Sequence, residues 1–200
     1  SGIRLTAETC PHYLHFTQDD FLNPEICNFL KTAPPVKQIH DREALWQGLK
    51  DGTISFITTD HAGCNPNEEK ISENFWEIYG GIPGVEHRVP YLLSAGFLDN
   101  QLTLQQTIEL LSIHPARFYG LKNKGEIKKS FDADLVLLDL WTEDKIVADK
   151  MHCLGKYTPF QGMTINTKVE DVFLRGQPVI QKSQQVVTNP GMGTYIKRES

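Results

Sequence analysis

An acid and an imidazole stand together at the end of an apolar run, at Asp60 and His61. The preceding residues 54–59 are rich in β-branched and aromatic side chains and follow the turn signal Asp51-Gly52, which predicts a buried strand. In a barrel of parallel strands the C-terminal strand ends carry the chemistry, because the following loops close over the substrate there. A carboxylate at that point can bind a metal ion or accept a proton.

Asp60 also has a plain structural interpretation. An Asp that follows a strand is often the N-cap of the next helix, where its side chain accepts hydrogen bonds from free backbone N–H groups. The dipeptide alone leaves both interpretations open, and the neighbouring motifs favour the functional one.

Composition and charge are those of an ordinary globular protein. The chain has 200 residues, of which 40% are hydrophobic and 22% charged, and this length can bury one substantial core or a larger and a smaller one. A formal charge of -5 predicts no nucleic-acid binding, which needs clustered Lys and Arg. No apolar run approaches the roughly 20 residues that span a bilayer, so we expect a soluble, cytoplasmic protein without a membrane partner. The four cysteines form no CxxC pair, which predicts reduced thiols.

The first part of the chain alternates between strand and helix patterns. Residues 3–8 predict a first strand, and the amphipathic residues 41–49 predict a helix that leads into the strand at 54–59. Residues 103–121 predict a further helix, capped by Thr103. A chain that begins on a buried strand has left its partner strands unpaired, so we expect this one to be part of a longer protein.

The second part of the chain has the period of strands. Short apolar runs predict strands at residues 134–139, 169–174 and 177–180. The residues between the last two fit a hairpin turn. We therefore expect an α/β part at residues 1–122 and a small β-rich domain with a C-terminal tail at residues 123–200.

A series of motifs follows one family pattern in order along the chain. The motifs are Glu8-Thr9-Cys10-Pro11-His12-Tyr13-Leu14, Ala33-Pro34-Pro35, Thr59-Asp60-His61, Gly81-Ile82-Pro83-Gly84-Val85-Glu86, His114-Pro115-Ala116-Arg117 and Thr158-Pro159-Phe160-Gln161-Gly162. Their order resembles the cyclic amidohydrolases, which include dihydroorotase, allantoinase and the hydantoinases or dihydropyrimidinases. The resemblance covers almost the whole chain and is specific at the level of the family.

The resemblance implies an α/β fold, a (β/α)₈ barrel with a binuclear metal site at the C-terminal ends of its strands. This chain would carry the last two barrel strands with their helices, and the small β-rich domain beside the barrel. The paired histidines of the first strand, a carboxylated lysine or equivalent acid, and two further histidine ligands would lie upstream of Ser1. The full-length protein would hold two divalent metal ions, usually zinc in this family, and the 200-residue chain alone would be inactive.

Asp60 matches the family's last-strand aspartate, which contacts the metal and shuttles a proton. Two metal ions lower the pKa of a bridging water, and a carboxylate beside it can accept the proton and pass it to the leaving amide nitrogen. Asp60 is therefore the expected catalytic residue and metal ligand, with His61 as a supporting neighbour. The resemblance makes His12 either a structural residue or one that supports the metal ligands from behind, and the other histidines stand in no ligand spacing.

The substrate-binding residues are expected in the loops around Asp60. The candidates are Ala33, His61, Cys64, Gly81, Ile82, Pro83 and Gly84. The glycines would let backbone groups approach a ureide ring, although a turn ahead of a helix explains them equally well. Dihydroorotases have the motifs N-P-P-L-R and T-D-H-A-P-H at these two places. This chain has Ala33 in place of the Asn of the first motif and Cys64 in place of the second His of the other, which disfavours the dihydroorotase branch.

We therefore expect a metal-dependent hydrolase that opens the C–N bond of a cyclic ureide of the hydantoin, dihydropyrimidine or allantoin type. Its partner would be the small-molecule ureide, and we expect a homo-oligomer. Two alternatives stay open. One is a dihydroorotase of pyrimidine synthesis, and the other is a non-catalytic amidohydrolase-like scaffold whose metal site has decayed.

Overall fold

The computed structural model describes residues 5–182, 185–186 and 190–198. Ile3 and Arg4 of the expected first strand lie outside the described residues, as do Glu199 and Ser200 at the end of the expected β-rich domain. Within the described parts of the chain, eight strands form one parallel pair, one antiparallel pair and one antiparallel sheet of four strands.

The parallel pair positions the candidate site. Strand β1 (Glu8–Thr9) lies beside strand β2 (Phe56–Ile57), and between them run helix α1 (Pro11–His15), two short 3₁₀ helices (Gln18–Leu22 and Cys27–Leu30) and helix α2 (Ile39–Asp51). A helical crossover between parallel neighbours is a βαβ unit. The pairing extends past the strand bounds, because Ser55 N–H donates to Ala7 O at 2.8 Å and Thr58 N–H donates to Thr9 O at 2.9 Å.

Helices follow β2 in close succession. They are α3 (Pro66–Glu69), a 3₁₀ turn (Phe75–Glu77), α4 (Arg88–Tyr91) continued by a π-helical stretch (Leu92–Leu98), α5 (Leu104–Ile108) continued by a π-helical stretch (Glu109–Ile113), and α6 (His114–Phe118). The predicted N-cap is confirmed, since Thr103 Oγ1 accepts a hydrogen bond from Gln106 N–H at 3.1 Å. Each helix in the described parts of the chain is too short or too polar to span a bilayer.

The second half of the chain forms the antiparallel sheets. Strands β3 (Leu135–Asp139), β6 (Lys168–Leu174), β7 (Gln177–Gln181) and β8 (Gln185–Val186) make the sheet of four, while β4 (Asp144–Lys145) pairs with β5 (Thr164–Ile165) and a 3₁₀ turn (Ala148–Lys150) lies between that pair. The predicted hairpin is confirmed. Arg175 and Gly176 have φ values of 48° and 75°, and positive φ at both central residues matches the right-handed twist of the flanking strands.

The main hydrophobic core joins side chains from both halves of the chain. Leu14, Leu92, Ile146, Phe160 and Ile165 belong to one buried cluster. Each such burial contributes about 1.5–3 kcal/mol relative to an exposed side chain. Residues 146–165 therefore stabilise the β1–β2 region directly. The division at residue 122 stays a prediction.

Candidate active site at the end of strand β2

Asp60 lies just beyond the C-terminal end of β2 in an unusual backbone conformation. Its φ is 45°, in the left-handed region, which Asp tolerates better than most residues but which still carries strain. The side chain is exposed, and its carboxylate accepts no hydrogen bond from the described residues. A free carboxylate in strained backbone at a strand end is typical of a functional position.

The structure does not support a helix-capping role for Asp60. The next helix, α3, has Asn65 as its N-cap, and the Asn65 side chain accepts a hydrogen bond from Asn67 N–H at 3.2 Å. The alternative interpretation of Asp60 raised by the sequence is therefore excluded.

His61 holds the glycine-containing segment beside the end of β2. Its Nδ1 accepts hydrogen bonds from Gly84 N–H at 3.1 Å and from Val85 N–H at 3.3 Å. An accepting Nδ1 places the ring proton on Nε2 in the neutral imidazole. The backbone adds to this contact, because Ala62 N–H donates to Ile82 O at 3.2 Å and His61 pairs with Ile82 in a parallel bridge. Residues 61–62 thus continue β2 into a pairing with residues 82–85.

Gly81 lies too close to Ala62 to leave room for a side chain. A Cβ at this position would lie 2.6 Å from Ala62 Cβ and 3.0 Å from Ala62 O. At Gly84, by contrast, the nearest atom to a Cβ is Thr59 O at 3.4 Å, which is an ordinary contact. The absence of a side chain at Gly81 therefore lets the loop lie against the strand end.

The backbone groups of this loop are largely engaged within the protein. Gly81 N–H donates to Lys31 O at 2.8 Å, Ile82 O accepts from Ala62, and Gly84 N–H is bound to His61. Residues 81–84, with Pro83 among them, are buried. These bonds fix the loop, and its contact with a ligand stays a prediction.

Cys64 joins the same cluster through a tyrosine. Its Sγ donates to Tyr157 Oη at 3.4 Å, and the Tyr157 hydroxyl lies 3.2 Å from both Ala62 O and Gly81 O, which share its proton. Burial raises the pKa of Tyr157, so it acts as a neutral donor. Ala33 is exposed and lies two residues beyond Lys31. The structure thus brings His61, Cys64 and Gly81 together and places Ala33 on the adjoining segment.

Two lysines and Tyr157 are the site-forming residues that the sequence did not single out for this role. Lys70 is 2% exposed, and its Nζ donates to Tyr79 O at 2.7 Å and to Gly81 O at 3.0 Å. Burial lowers the pKa of Lys70 to about 8. A Lys that follows two glutamates in a polar loop has the pattern of a solvated surface residue, so its burial has no signal in the sequence.

Behind Asp60 lies a layer of buried, uncharged groups. Burial lowers the pKa of His12 to about 4, so its ring is neutral at pH 7, and its Nε2 has no hydrogen-bond partner among the described residues. Burial raises the pKa of Cys10 to about 11, with a further contribution from the charge of Asp60. A thiol with such a pKa is protonated and is not a nucleophile.

Asp60 is a candidate metal ligand at the end of β2. A carboxylate oxygen suits Zn²⁺ and other divalent ions, and the unengaged carboxylate of Asp60 fits that role. Within the described residues no group of three His, Cys, Asp or Glu side chains could hold a metal ion. Two cavities of about 490 and 420 Å³ lie elsewhere, and Asp60 lines neither. A complete metal centre at Asp60 would need ligands from outside these residues.

The parallel βαβ unit makes this part of the chain an α/β fold, and Asp60 lies beyond the carboxyl end of its second strand. The profile of the amidohydrolase family matches residues 15–179. The chain belongs to the amidohydrolase family. Members of this family generally bind divalent metal ions.

Named relatives and solved structures agree with this assignment. A protein named allantoinase from Deinococcus radiodurans is 35% identical, over 95% of this chain and 41% of its own length. A protein named dihydroorotase from Geobacillus sp. (strain WCH70) is 38% identical, over 92% of this chain and 42% of its own. The solved L-hydantoinase (dihydropyrimidinase) from Arthrobacter aurescens superimposes with a TM-score of 0.90 at 32% identity, over 96% of this chain and 43% of that one. The chain thus spans about two fifths of the length of these proteins.

Proposed function

We propose that the chain is the C-terminal part of a metal-dependent hydrolase that opens the C–N amide bond of a cyclic ureide, of the hydantoin, dihydropyrimidine or allantoin type. Asp60 is the observation that carries this proposal, because its exposed carboxylate is unengaged, lies at a strand end and caps no helix. The relatives named allantoinase and L-hydantoinase support this class of substrate.

The chemistry assigned to Asp60 follows from its position. Two divalent ions, zinc in this proposal, would supply a water of lowered pKa when bound. Asp60 would hold one ion through a carboxylate oxygen. The same carboxylate would accept the proton of the attacking water and donate it to the leaving amide nitrogen. His61 would keep residues 82–85 beside that carboxylate through its bonds to Gly84 and Val85.

A dihydroorotase is the second candidate, and one observation favours it. The dihydroorotase relative is 38% identical, whereas the allantoinase relative is 35% identical. Against it stand Ala33 and Cys64, which replace the Asn and the second His of the dihydroorotase motifs. These residues lie on segments that adjoin Gly81, so the choice between substrates would be made at that loop.

The test is a ring-opening assay on the full-length protein that carries this chain. The metal-loaded protein is offered hydantoin, dihydrouracil, allantoin and dihydroorotate, and Asp60→Asn is compared with the exposed control Asp19→Asn. We expect activity on one of the first three, a loss of roughly 10²–10⁴-fold in Asp60→Asn because acid–base catalysis is removed, and no loss in the control.

Other outcomes would redirect the assignment. Activity on dihydroorotate alone would support the second candidate. No ring opening on any substrate, together with little bound metal, would instead support the non-catalytic scaffold. A homo-oligomer and a cytoplasmic location stay predictions, and light scattering on the same protein tests the first.

A further inference from the structure

Two lysine side chains bond the backbone of the segment that leads to Gly81. Lys31 Nζ donates to Phe75 O at 2.7 Å, to Trp76 O at 3.1 Å and to Ile78 O. Lys70 Nζ donates to Tyr79 O and Gly81 O. The two ammonium groups therefore hold five carbonyl oxygens between residues 75 and 81, which we call the clamped segment.

The surroundings of Lys70 differ from those of a structural ion pair. Among the described residues its ammonium has no carboxylate within ion-pair distance, and its Nζ lies 5.6 Å from the ring centroid of Tyr157 and 5.9 Å from that of Tyr79. Burying an ammonium without a counter-charge is unfavourable unless its protons are satisfied. The carbonyls of the clamped segment and the two aromatic faces supply that compensation.

The clamped segment connects directly to the strand end that carries Asp60. Gly81 O receives both the Lys70 ammonium and the Tyr157 hydroxyl, and Tyr157 also bonds Ala62 O. One residue further on, Ile82 O accepts from Ala62 N–H. The position of Gly81 relative to residues 60–62 thus depends on the donors that converge on its carbonyl.

We propose that Lys70 is a positioning residue for the site at Asp60, and that it acts by fixing the clamped segment so that residues 81–84 stay beside the end of β2. Lys31 supports the same segment from its outer side. This inference rests on the proposed function. It predicts that loss of Lys70 weakens substrate binding through a displaced loop, while the metal site and the proton transfer at Asp60 are retained.

The first test compares kinetic constants in the full-length, metal-loaded protein. Lys70→Met keeps the length of the side chain but has no donor, and Lys50→Met is the matched control, since the exposed Lys50 ammonium donates to the side chain of Gln101 and not to the clamped segment. We expect Lys70→Met to raise KM roughly tenfold, as the loss of a charge-assisted hydrogen bond implies, with kcat within about twofold and metal content unchanged. Lys31→Met, at a less buried side chain, is expected to raise KM less. A fall in kcat at unchanged KM would overturn the proposal.

The second test does not depend on activity. Amide hydrogen exchange is measured for the wild type, Lys70→Met, Lys31→Met and Lys50→Met. We expect roughly tenfold faster exchange at Ala62, Gly81 and Gly84 in Lys70→Met, with the β6–β7 amides unchanged. Exchange that is unchanged at these three amides, or accelerated throughout the protein, would overturn the positioning role.

These two tests separate the proposals. If the wild type opens none of the four rings, the proposed function fails, and hydrogen exchange alone decides whether Lys70 positions the loop. If Lys70→Met does not fold, Lys31→Met and Lys70→Gln, which keeps an N–H donor, decide it by the same amides. Localised acceleration in either variant supports the role, and its absence in both overturns it.

Discussion

The turn between β6 and β7 and the strand end at Asp60 are held by different kinds of contact. In the turn, Arg175 and Gly176 connect strands that pair Leu174 with Gln177. The two turn amides also bond one other segment, because Arg175 N–H donates to Asp134 Oδ1 at 2.8 Å and Gly176 N–H donates to Ala133 O at 2.9 Å. At Asp60, the Tyr157 hydroxyl reaches Ala62 O across 95 positions, and Gly81 N–H reaches Lys31 O across 50. The turn therefore depends on its own strands and one other segment, whereas the strand end at Asp60 needs three distant segments in place at once.

This difference teaches where small changes should matter. At the site, Gly81 and Gly155 lie very close to neighbouring segments, which are themselves fixed by distant contacts. An added methyl group there would clash with atoms that cannot easily move. At Gly176 in the hairpin the nearest atom to an added Cβ is Ala133 Cβ at 3.9 Å, so a change there should affect the local conformation alone. Substitution of single glycines tests this contrast directly.

Gly155→Ala has the largest expected effect. The new Cβ would lie 2.3 Å from Cys64 O, a backbone atom that cannot move without shifting the segment behind Asp60. We expect a destabilisation of about 3 kcal/mol, the upper end for overpacking, measured by urea unfolding. Gly193→Ala is the control, because a Cβ there meets no atom of the described residues within 4 Å. Equal stability of the two variants would contradict the close packing of this edge.

Gly81→Ala should come second. Its Cβ would lie 2.6 Å from Ala62 Cβ, 2.9 Å from Tyr79 Cε1 and 3.0 Å from Ala62 O. These contacts are less short than the one at Gly155, but Ala62 Cβ is fixed to the backbone, so residues 62 and 81 must shift apart. We expect a loss of about 2 kcal/mol in the free energy of unfolding. Gly80→Ala, one residue away with nothing within 4 Å of its Cβ, should be nearly neutral in the same urea titration. If Gly80→Ala lowered the free energy of unfolding as much as Gly81→Ala, close packing would not explain the sensitivity of this region.

The same contrast explains what the sequence could predict. The strands at 134–139, 169–174 and 177–180 are found within one residue at each end, because period and turn residues are local properties. Strands were also predicted at residues 3–8 and 54–59, with their adjacency implied by the family resemblance, but the structure has regular strands only at Glu8–Thr9 and Phe56–Ile57. Ser55 and Thr58 still bond the first strand, through Ala7 O and Thr9 O, outside these regular bounds.

The surroundings of Asp60 could not be predicted in this way. Lys70, Lys31 and Tyr157 act through bonds to backbone oxygens 9 to 95 positions away, and no periodicity records such contacts. Every residue carries a backbone carbonyl oxygen, so the sequence cannot show which of these oxygens will accept a hydrogen bond from a given lysine. Only the glycines gave a signal, because a close backbone approach needs a missing side chain.

Gly176→Ala is expected to have a smaller effect than Gly81→Ala and to leave the site intact. The residue has φ of 75°, and the nearest atom to a Cβ is Ala133 Cβ at 3.9 Å, so the cost is conformational and not steric. We expect a loss of about 1 kcal/mol in the free energy of unfolding and an unchanged kcat/KM on whichever ureide the protein opens. A drop in kcat/KM of tenfold or more would show that the sheet and the site are coupled.

Acidification is expected to have the smallest effect. It should destabilise the region around His87 and leave the sheet unchanged. The His87 ring is 3% exposed, its Nε2 lies 3.1 Å from Thr158 Oγ1, and burial lowers its pKa to about 4. Because the folded protein binds this proton less readily than the unfolded chain, the stabilisation is complete above pH 6.5 and is lost as the pH falls toward 4. Between pH 7 and 6 we expect a loss on the order of 0.5–1 kcal/mol from His87 alone.

His87→Gln removes this titration and keeps a polar group beside Thr158, so its urea unfolding should depend less on pH over the same interval. The sheet should not respond in this range. At the edge of the sheet, burial raises the pKa of Asp134, but its contact with Lys124 outweighs this effect and leaves the pKa lowered. A lowered carboxyl pKa stabilises the folded protein, and this stabilisation is lost only as the pH falls below the ordinary Asp value near 4. Hydrogen exchange at pH 6 and 7 should therefore show faster opening around residues 87–94 while the β6–β7 amides keep their protection. If the stability of the wild type and of His87→Gln had the same pH dependence, the His87 ring would be shown to titrate near its ordinary pKa. The region around His87 and the sheet would then respond alike to acidification.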